Sequence, residues 1–273
     1  MRGKPLISII TITYNSKTFL EGAIQSILAQ NYSNIEYIIV DGVSTDDTLE
    51  IIKKYAERDS RIRWSSEPDE GISDAFNKGL ECAKGDIVGI LNSDDMYVEG
   101  TLEAIAEASN NHPDCDVFHG DIVKFQGDVP LFCVTPTDIK KNIWHEMPIN
   151  HPTTFVTKRA YDRVGNFKTE LKVAMDYDLV LRLYINDFKF FYIDKVLAKM
   201  RYGGASDEKF LDGLREVLVS SVNNGYPIYK AYCWFAYKAT KGFIKNILRK
   251  LRLHFLIRLH PNFHSIKKGE SSH

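Results

Sequence analysis

Residues 86–95 read Asp-Ile-Val-Gly-Ile-Leu-Asn-Ser-Asp-Asp. Ile87 to Leu91 is a short apolar run with one glycine, the pattern of a strand buried on both faces. It stops abruptly at Asn92, Ser93, Asp94 and Asp95. Two adjacent carboxylates at the mouth of a buried strand repel each other, and a bound divalent cation relieves that repulsion. Hard cations such as Mg²⁺ and Mn²⁺ prefer oxygen ligands, and Mg²⁺ commonly takes one or two carboxylates plus substrate phosphates. A solvated turn after a strand is the other reading of these four residues.

The flanking sequence repeats the theme. Residues 6–12 and 35–40 are further β-branched, apolar runs, the second ending at Asp41. Residues 19–29, 72–83 and 101–109 carry helical spacing. Residues 44–47, Ser-Thr-Asp-Asp, offer capping groups for a helix through Leu49, Ile52 and Tyr55. Residues 62–65 read as a short strand. Strands alternating with helices imply right-handed βαβ units and a mostly parallel sheet flanked by helices. In such sheets ligands bind at the carboxyl ends of the strands, where Asp41, Asp94 and Asp95 all lie. Residues 117–157, punctuated by prolines, read as a mixed β region with functional loops. Residues 177–185 look helical and 188–193 form an aromatic-rich strand. Helix resumes from Phe210, with an interruption at Gly225-Tyr226-Pro227.

The chain has 273 residues, 44% apolar and 26% charged, enough for one large α/β domain with an appendage. Net charge is only −1, but it is unevenly distributed. Residues 217–269 contain no Asp or Glu and carry ten Lys and Arg. An acidic body over residues 1–216 and a basic extension over 217–273 are therefore expected, the latter facing an anionic partner. Cys82, Cys115, Cys133 and Cys233 are dispersed and form no CxxC pair, so neither a zinc site nor a disulfide framework is indicated and reduced thiols in the cytoplasm are expected. No signal peptide and no apolar run long enough for a bilayer are legible.

Five segments in order carry a family resemblance. They are Ile9-Ile10-Thr11-Ile12-Thr13-Tyr14-Asn15; Val40-Asp41-Gly42-Val43-Ser44-Thr45-Asp46-Asp47-Thr48; Ser73-Asp74-Ala75-Phe76-Asn77-Lys78-Gly79; Leu91-Asn92-Ser93-Asp94-Asp95; and Met175-Asp176-Tyr177-Asp178-Leu179. Over roughly residues 5–205 the chain resembles a family 2 glycosyltransferase with a GT-A fold, of the bacterial polysaccharide-assembly type (O-antigen, capsule or colanic acid). The resemblance implies an inverting, metal-dependent transfer of a sugar from a nucleotide-sugar donor, most often a UDP-sugar. It assigns Asp95 to a Mn²⁺ or Mg²⁺ ion, and it places Thr13, Tyr14, Asn15, Asp41, Asn77, Lys78 and Asp94 against the nucleotide, with Asp41 at the base. Asp176 matches the catalytic base that takes the acceptor's proton. Helix capping is the alternative for Asp176 and Asp178, and an i, i+4 pair joins Asp178 to Arg182. His151, Arg201 and Asp74 are candidates for metal, acceptor or diphosphate contact. Arg201 lies in a glycine-bearing segment and could clamp a diphosphate. The chain departs from the family in two places: Met175 stands where many members have Glu, and Phe76 where many have Arg.

Between Tyr232 and His260, aromatic and aliphatic residues interleave with Lys and Arg, and Ile244, Ile247, Leu248 and Leu251 fall at helical spacing. Such a helix suits an anionic membrane interface. Packing on the enzyme's own body, or a nucleic-acid patch, are the other readings. The aromatic content and the lack of acids favour the membrane, with residues 230–260 as the contact and no nucleic-acid partner. The acceptor expected with this tail is a polyprenyl-diphosphate-linked saccharide at the inner face of the cell membrane. A polyprenyl-phosphate acceptor and a non-catalytic nucleotide-sugar-binding subunit remain alternatives at this stage.

Overall fold

Continuous β-branched runs give the first strands because both of their faces are covered. In the computed structural model, which describes residues 3–127, 129–202 and 209–250 (side chains as far as 243), β1 (Ile7–Thr13), β2 (Ile35–Asp41), β3 (Ile62–Ser66) and β4 (Ile87–Ile90) pair in parallel in the order β3-β2-β1-β4. Alternate residues serve opposite layers. Ile7, Ile9, Tyr37 and Ile39 face α1 (Leu20–Leu28), α2 (Thr48–Ala56) and α4 (Thr101–Asn111). Ile10, Ile38, Val40, Val88 and Ile90 face α3 (Ile72–Cys82) and the later helices.

The sheet is mixed beyond β4. Among the described residues its nine strands, which include β5 (Met96–Tyr97), β8 (Phe155–Thr157) and β9 (Phe190–Arg201), run β3-β2-β1-β4-β8-β6-β9-β5, with β7 (Val129–Val134) also on β6 (Val117–Gln126). β8 (Phe155–Thr157) enters antiparallel between β4 and β6, whereas β6 and β9 (Phe190–Arg201) are parallel. The parallel character read from the sequence thus describes the β3-β2-β1-β4 portion. Gly89 explains the glycine of the opening segment. It sits opposite Phe155, and a Cβ there would collide with the Phe155 ring. Only glycine lets this aromatic cross the strand.

The later elements differ from the sequence reading in extent. The 117–157 region forms β6, β7, β8, a short α5 (Ile139–Asn142) and a 3₁₀ turn at His151–Thr153. The aromatic strand continues to Arg201, and β5 (Met96–Tyr97) pairs with its end. α6 (Lys158–Val164) leads to the segment before α7 (Met175–Ile185). α8 (Phe210–Asn223) and α9 (Ile228–Lys250) close the described chain, broken at Gly225, whose φ is +96°. The expected division at residue 216 falls inside α8, where Ser220 and Ser221 are buried. No described helix is long and apolar enough to cross a membrane.

Candidate active site

Parallel pairing brings the carboxyl ends of β1, β2 and β4 to one edge. Thr13 lies beside Asp41, and the Gly42 amide donates to the Thr13 carbonyl at 2.9 Å. Asn15, in the left-handed region at φ +50°, reaches across to accept from the Thr45 amide at 2.8 Å. Its own amide donates to Ser44 Oγ. Ser93 Oγ donates to Ser16 Oγ at 3.0 Å, tying the acidic segment after β4 to the loop after β1.

Asp95 is 2% exposed. Its Oδ1 accepts the Arg201 amide at 3.1 Å, and its Oδ2 is buried without a partner. Burial first, and the charge of Asp94 second, push the Asp95 carboxyl up to about 7. A buried anionic oxygen with no donor is costly. A divalent cation is the group that removes this cost, so the donor set fits the expected Mg²⁺ or Mn²⁺. Among the described residues no cluster of three His, Cys, Asp or Glu exists that would hold a metal alone.

Arg201 stands over this edge from the end of β9. Its guanidinium carbon lies 3.5 Å from the centre of the Phe19 ring, and its Nε lies 4.0 Å from Asp94 Oδ2. Nε itself is buried without a hydrogen-bond partner. The guanidinium is therefore held flat on an aromatic face with hydrogen-bonding capacity left for an anion.

A second group forms at α7. Asp176 occupies the first helical turn, where its Oδ1 accepts the Tyr177 amide at 2.7 Å. Its Oδ2 faces His151 Nδ1 at 3.7 Å. Burial lowers the His151 pKa below the ordinary imidazole value, opposed by the Asp176 charge. His151 Nε2 is buried without a partner, and its ring stacks on Phe76 at 5.7 Å. Asp176 and His151 line a narrow cleft, partly open to solvent, that also touches Ile90 of β4. Phe76 is 2% exposed and also packs on Phe167. At this position the chain presents an apolar face to His151.

The other sequence candidates sit less openly. Asp41 is fully buried, and its carboxylate already accepts from the Ser44 amide and from the Ser44 and Ser66 hydroxyls. Asn77 is committed to the backbone of Phe167, donating at 2.8 Å and accepting at 2.9 Å. Lys78 Nζ donates to the Pro68 carbonyl at 2.6 Å and lies 3.3 Å from Asp74. Asp74 also accepts the Glu70 amide. These three brace the chain around α3. Tyr14 is exposed at the rim. Asp178 is fully buried. Burial alone would raise its pKa, but contacts with Lys168 (2.8 Å), Ser220 and Arg182 (2.7 Å) outweigh it and hold the carboxyl low.

Two contributors escaped the sequence reading. Phe19, within the 19–29 stretch of helical spacing, supports Arg201. Glu216 lies 40 residues beyond Asp176 in sequence yet reaches the segment just before it. No local pattern marks either contact.

Comparison with known proteins bears on the family and the fold. The sequence model described as Glycosyl transferase family 2 matches residues 8–165. The putative teichuronic acid biosynthesis glycosyltransferase TuaG of Bacillus subtilis is 37% identical over 129 residues, covering 47% of this chain and 51% of its own length. Two solved structures share the fold. S. aureus TarS 1–349 in complex with UDP-GlcNAc superposes with a TM-score of 0.64 at 22% identity, covering 85% of this chain and 70% of that one. The mannosyltransferase PcManGT from Pyrobaculum calidifontis in complex with GDP-Man and Mn²⁺ gives 0.67 at 18% identity, covering 95% and 82%. At these identities the likeness carries the GT-A architecture alone.

Proposed function

Because this chain belongs to glycosyl transferase family 2, we propose that it moves a sugar with inversion from a UDP-sugar to a hydroxyl of a polyprenyl-diphosphate-linked saccharide during surface-polysaccharide synthesis. The observation that carries this reading is the buried Asp95 carboxylate with an unpartnered oxygen, beside Asp94 and beneath Arg201. TuaG, named for teichuronic acid biosynthesis, supports the polysaccharide setting, and the UDP-GlcNAc complex of TarS supports the nucleotide.

In this reading Asp95, assisted by Asp94, holds Mn²⁺ or Mg²⁺ at the donor diphosphate. When bound, such an ion neutralises the charge that gathers on the leaving group. Arg201, prefolded on Phe19, adds a second positive group at the same phosphates. Thr13, Tyr14 and Asn15 flank the nucleoside. Asp41, whose lone pairs are largely occupied by Ser44 and Ser66, shapes the base pocket and presents at most one remaining acceptor site to the base.

Asp176 supplies the base. The acceptor oxygen attacks the anomeric carbon from the face opposite the phosphate and gives its proton to Asp176 Oδ2. The bond from that carbon to the phosphate oxygen breaks, and its electron pair leaves with the nucleoside diphosphate. His151 shares the cleft and orients Asp176 Oδ2 or the acceptor hydroxyl, through Nδ1 and Nε2 respectively. The exposed Ile228, Tyr229, Tyr232, Tyr237 and Phe243 of α9, among its lysines, support attachment to the anionic inner face of the membrane, where a polyprenyl-linked acceptor resides. The test is nucleotide release from a panel of UDP-, GDP- and dTDP-sugars by wild type, Asp95→Ala and Asp176→Asn. Release by wild type with a UDP-sugar, lost in both variants, supports the reading. Full turnover by Asp176→Asn removes the assigned base and, with it, this mechanism.

A further inference from the structure

Residues 165–174 connect α6 to the helix bearing Asp176 without pairing to any strand. Their position is set by side chains from elsewhere. Ser73 Oγ donates to the Leu171 carbonyl at 2.7 Å, and Asn77 clamps Phe167. The last three residues before α7 are held differently. The amides of Lys172, Val173 and Ala174 donate to one carboxylate, that of Glu216, at 2.8, 2.8 and 2.7 Å. Successive amides converging on an anion form a nest, and the N-terminal end of a helix adds its positive dipole to the same point.

Glu216 is one member of a stripe on α8. Gly213, one turn earlier, approaches so closely that a Cβ would lie 3.1 Å from Val173 Cγ1. Ser220, one turn later, donates to Asp178 inside α7. The spacing 213, 216, 220 places all three on one helix face. α8 therefore grips the segment on both sides of Asp176, and it lies outside the 8–165 segment matched by the family. We infer that Glu216 is a positioning residue for Asp176: its carboxylate fixes the turn from which the base projects toward the acceptor, an inference that rests on Asp176 being that base.

A general base tolerates little displacement. Proton abstraction needs hydrogen-bond reach, and a misplacement of about 1 Å costs about 10²-fold in rate. The metal-binding edge is supported separately, by β4 and the Arg201 amide, so loss of Glu216 should leave it intact.

Glu216→Gln is close in shape but lacks the charge, and it cannot accept at both oxygens. Glu216→Ala removes the anchor. Both are compared with wild type and Asp176→Asn as full chains, using the UDP-sugar that wild type turns over fastest. The expected result is a kcat lowered about 10²-fold with an unchanged donor KM, together with faster amide exchange at residues 172–178 and unaltered exchange at 87–95. UDP and Mn²⁺ binding by calorimetry should match wild type. Wild-type kcat in Glu216→Gln with unchanged exchange would overturn the inference, as would a parallel loss of kcat and UDP binding. If Asp176→Asn is inactive while Glu216→Gln is normal, only the positioning role falls. If Asp176→Asn is active, the base assignment falls first.

Discussion

Asp95→Asn should make the metal-free protein more stable, and only above mildly acidic pH. The folded pKa of about 7 stands above the ordinary 3.8. The unfolded chain therefore gives up this proton first. Between pH 4 and 7 the native state holds a proton that the unfolded state has released, so stability falls as pH rises, by about 1.36 kcal/mol per unit. The full penalty of about 4 kcal/mol is reached only above pH 7. Asparagine has no charge to bury and can still accept the Arg201 amide through its oxygen. The assay is urea unfolding of wild type and variant in EDTA from pH 5 to 8, reading the difference between them. The advantage of the variant should be small at pH 5 and grow to as much as about 4 kcal/mol by pH 8, or roughly 8–16 °C in Tm. Added Mn²⁺ should reverse the order by stabilising wild type alone. A difference that is flat with pH, or a variant less stable at pH 8, would refute the claim that Asp95 is a buried carboxylate awaiting a cation.

Other outcomes follow from the same geometry. Asp176→Asn should lower kcat by about 10²- to 10⁴-fold while UDP and Mn²⁺ still bind, since only proton removal is lost; single-turnover rates and calorimetry together check this. Asp178→Asn should destabilise by about 3–5 kcal/mol, because Lys168 and Arg182 lose a buried partner. The lowered pKa of Asp178 means its contribution is present at neutral pH and lost only below the ordinary carboxylate range, so chemical unfolding should give a constant deficit from pH 5 to 8. Deleting residues 251–273, which carry a net charge of +3, should weaken sedimentation with phosphatidylglycerol vesicles by on the order of 10²-fold, at about 1 kcal/mol per net positive charge. Phosphatidylcholine vesicles should show little difference, and equal binding to anionic vesicles would count against the membrane role.

Much of the parallel half was readable because burial on two faces demands largely apolar runs, as in residues 7–12, 35–40 and 87–91. The acids at their ends stood out for the same reason: Asp94 and Asp95 end a run free of charge, and Asp41 ends one whose other acid, Glu36, is paired with Ser8 and Arg63. The C-terminal half of β9 was hidden because Asp194, Lys195 and Lys199 face solvent while Leu197 and Ala198 face the core. Its pairing with β6 is between residues some 75 apart in the chain. Asn77 and Lys78 have side chains suited to a nucleotide, yet both are taken up by nearby backbone, which composition cannot reveal. Phe76 and Met175, departures from the family resemblance at the sequence level, are both buried in the core on the α3 side of the sheet, Phe76 stacked on His151. The basic run beyond residue 243 had a legible amphipathic pattern, but Ile244, Ile247, Leu248 and Leu251 lie outside the residues whose side chains are described.

Calorimetric titration of UDP and GDP asks whether the Asp94–Asp95 edge binds a nucleoside diphosphate through a divalent cation. Wild type with Mn²⁺ should bind UDP in preference to GDP, and binding should disappear with EDTA and in Asp95→Ala. Preference for GDP would overturn the nucleotide assignment alone. Absence of binding to either nucleotide in the presence of Mn²⁺, or binding unaffected by EDTA and by Asp95→Ala, would contradict the account.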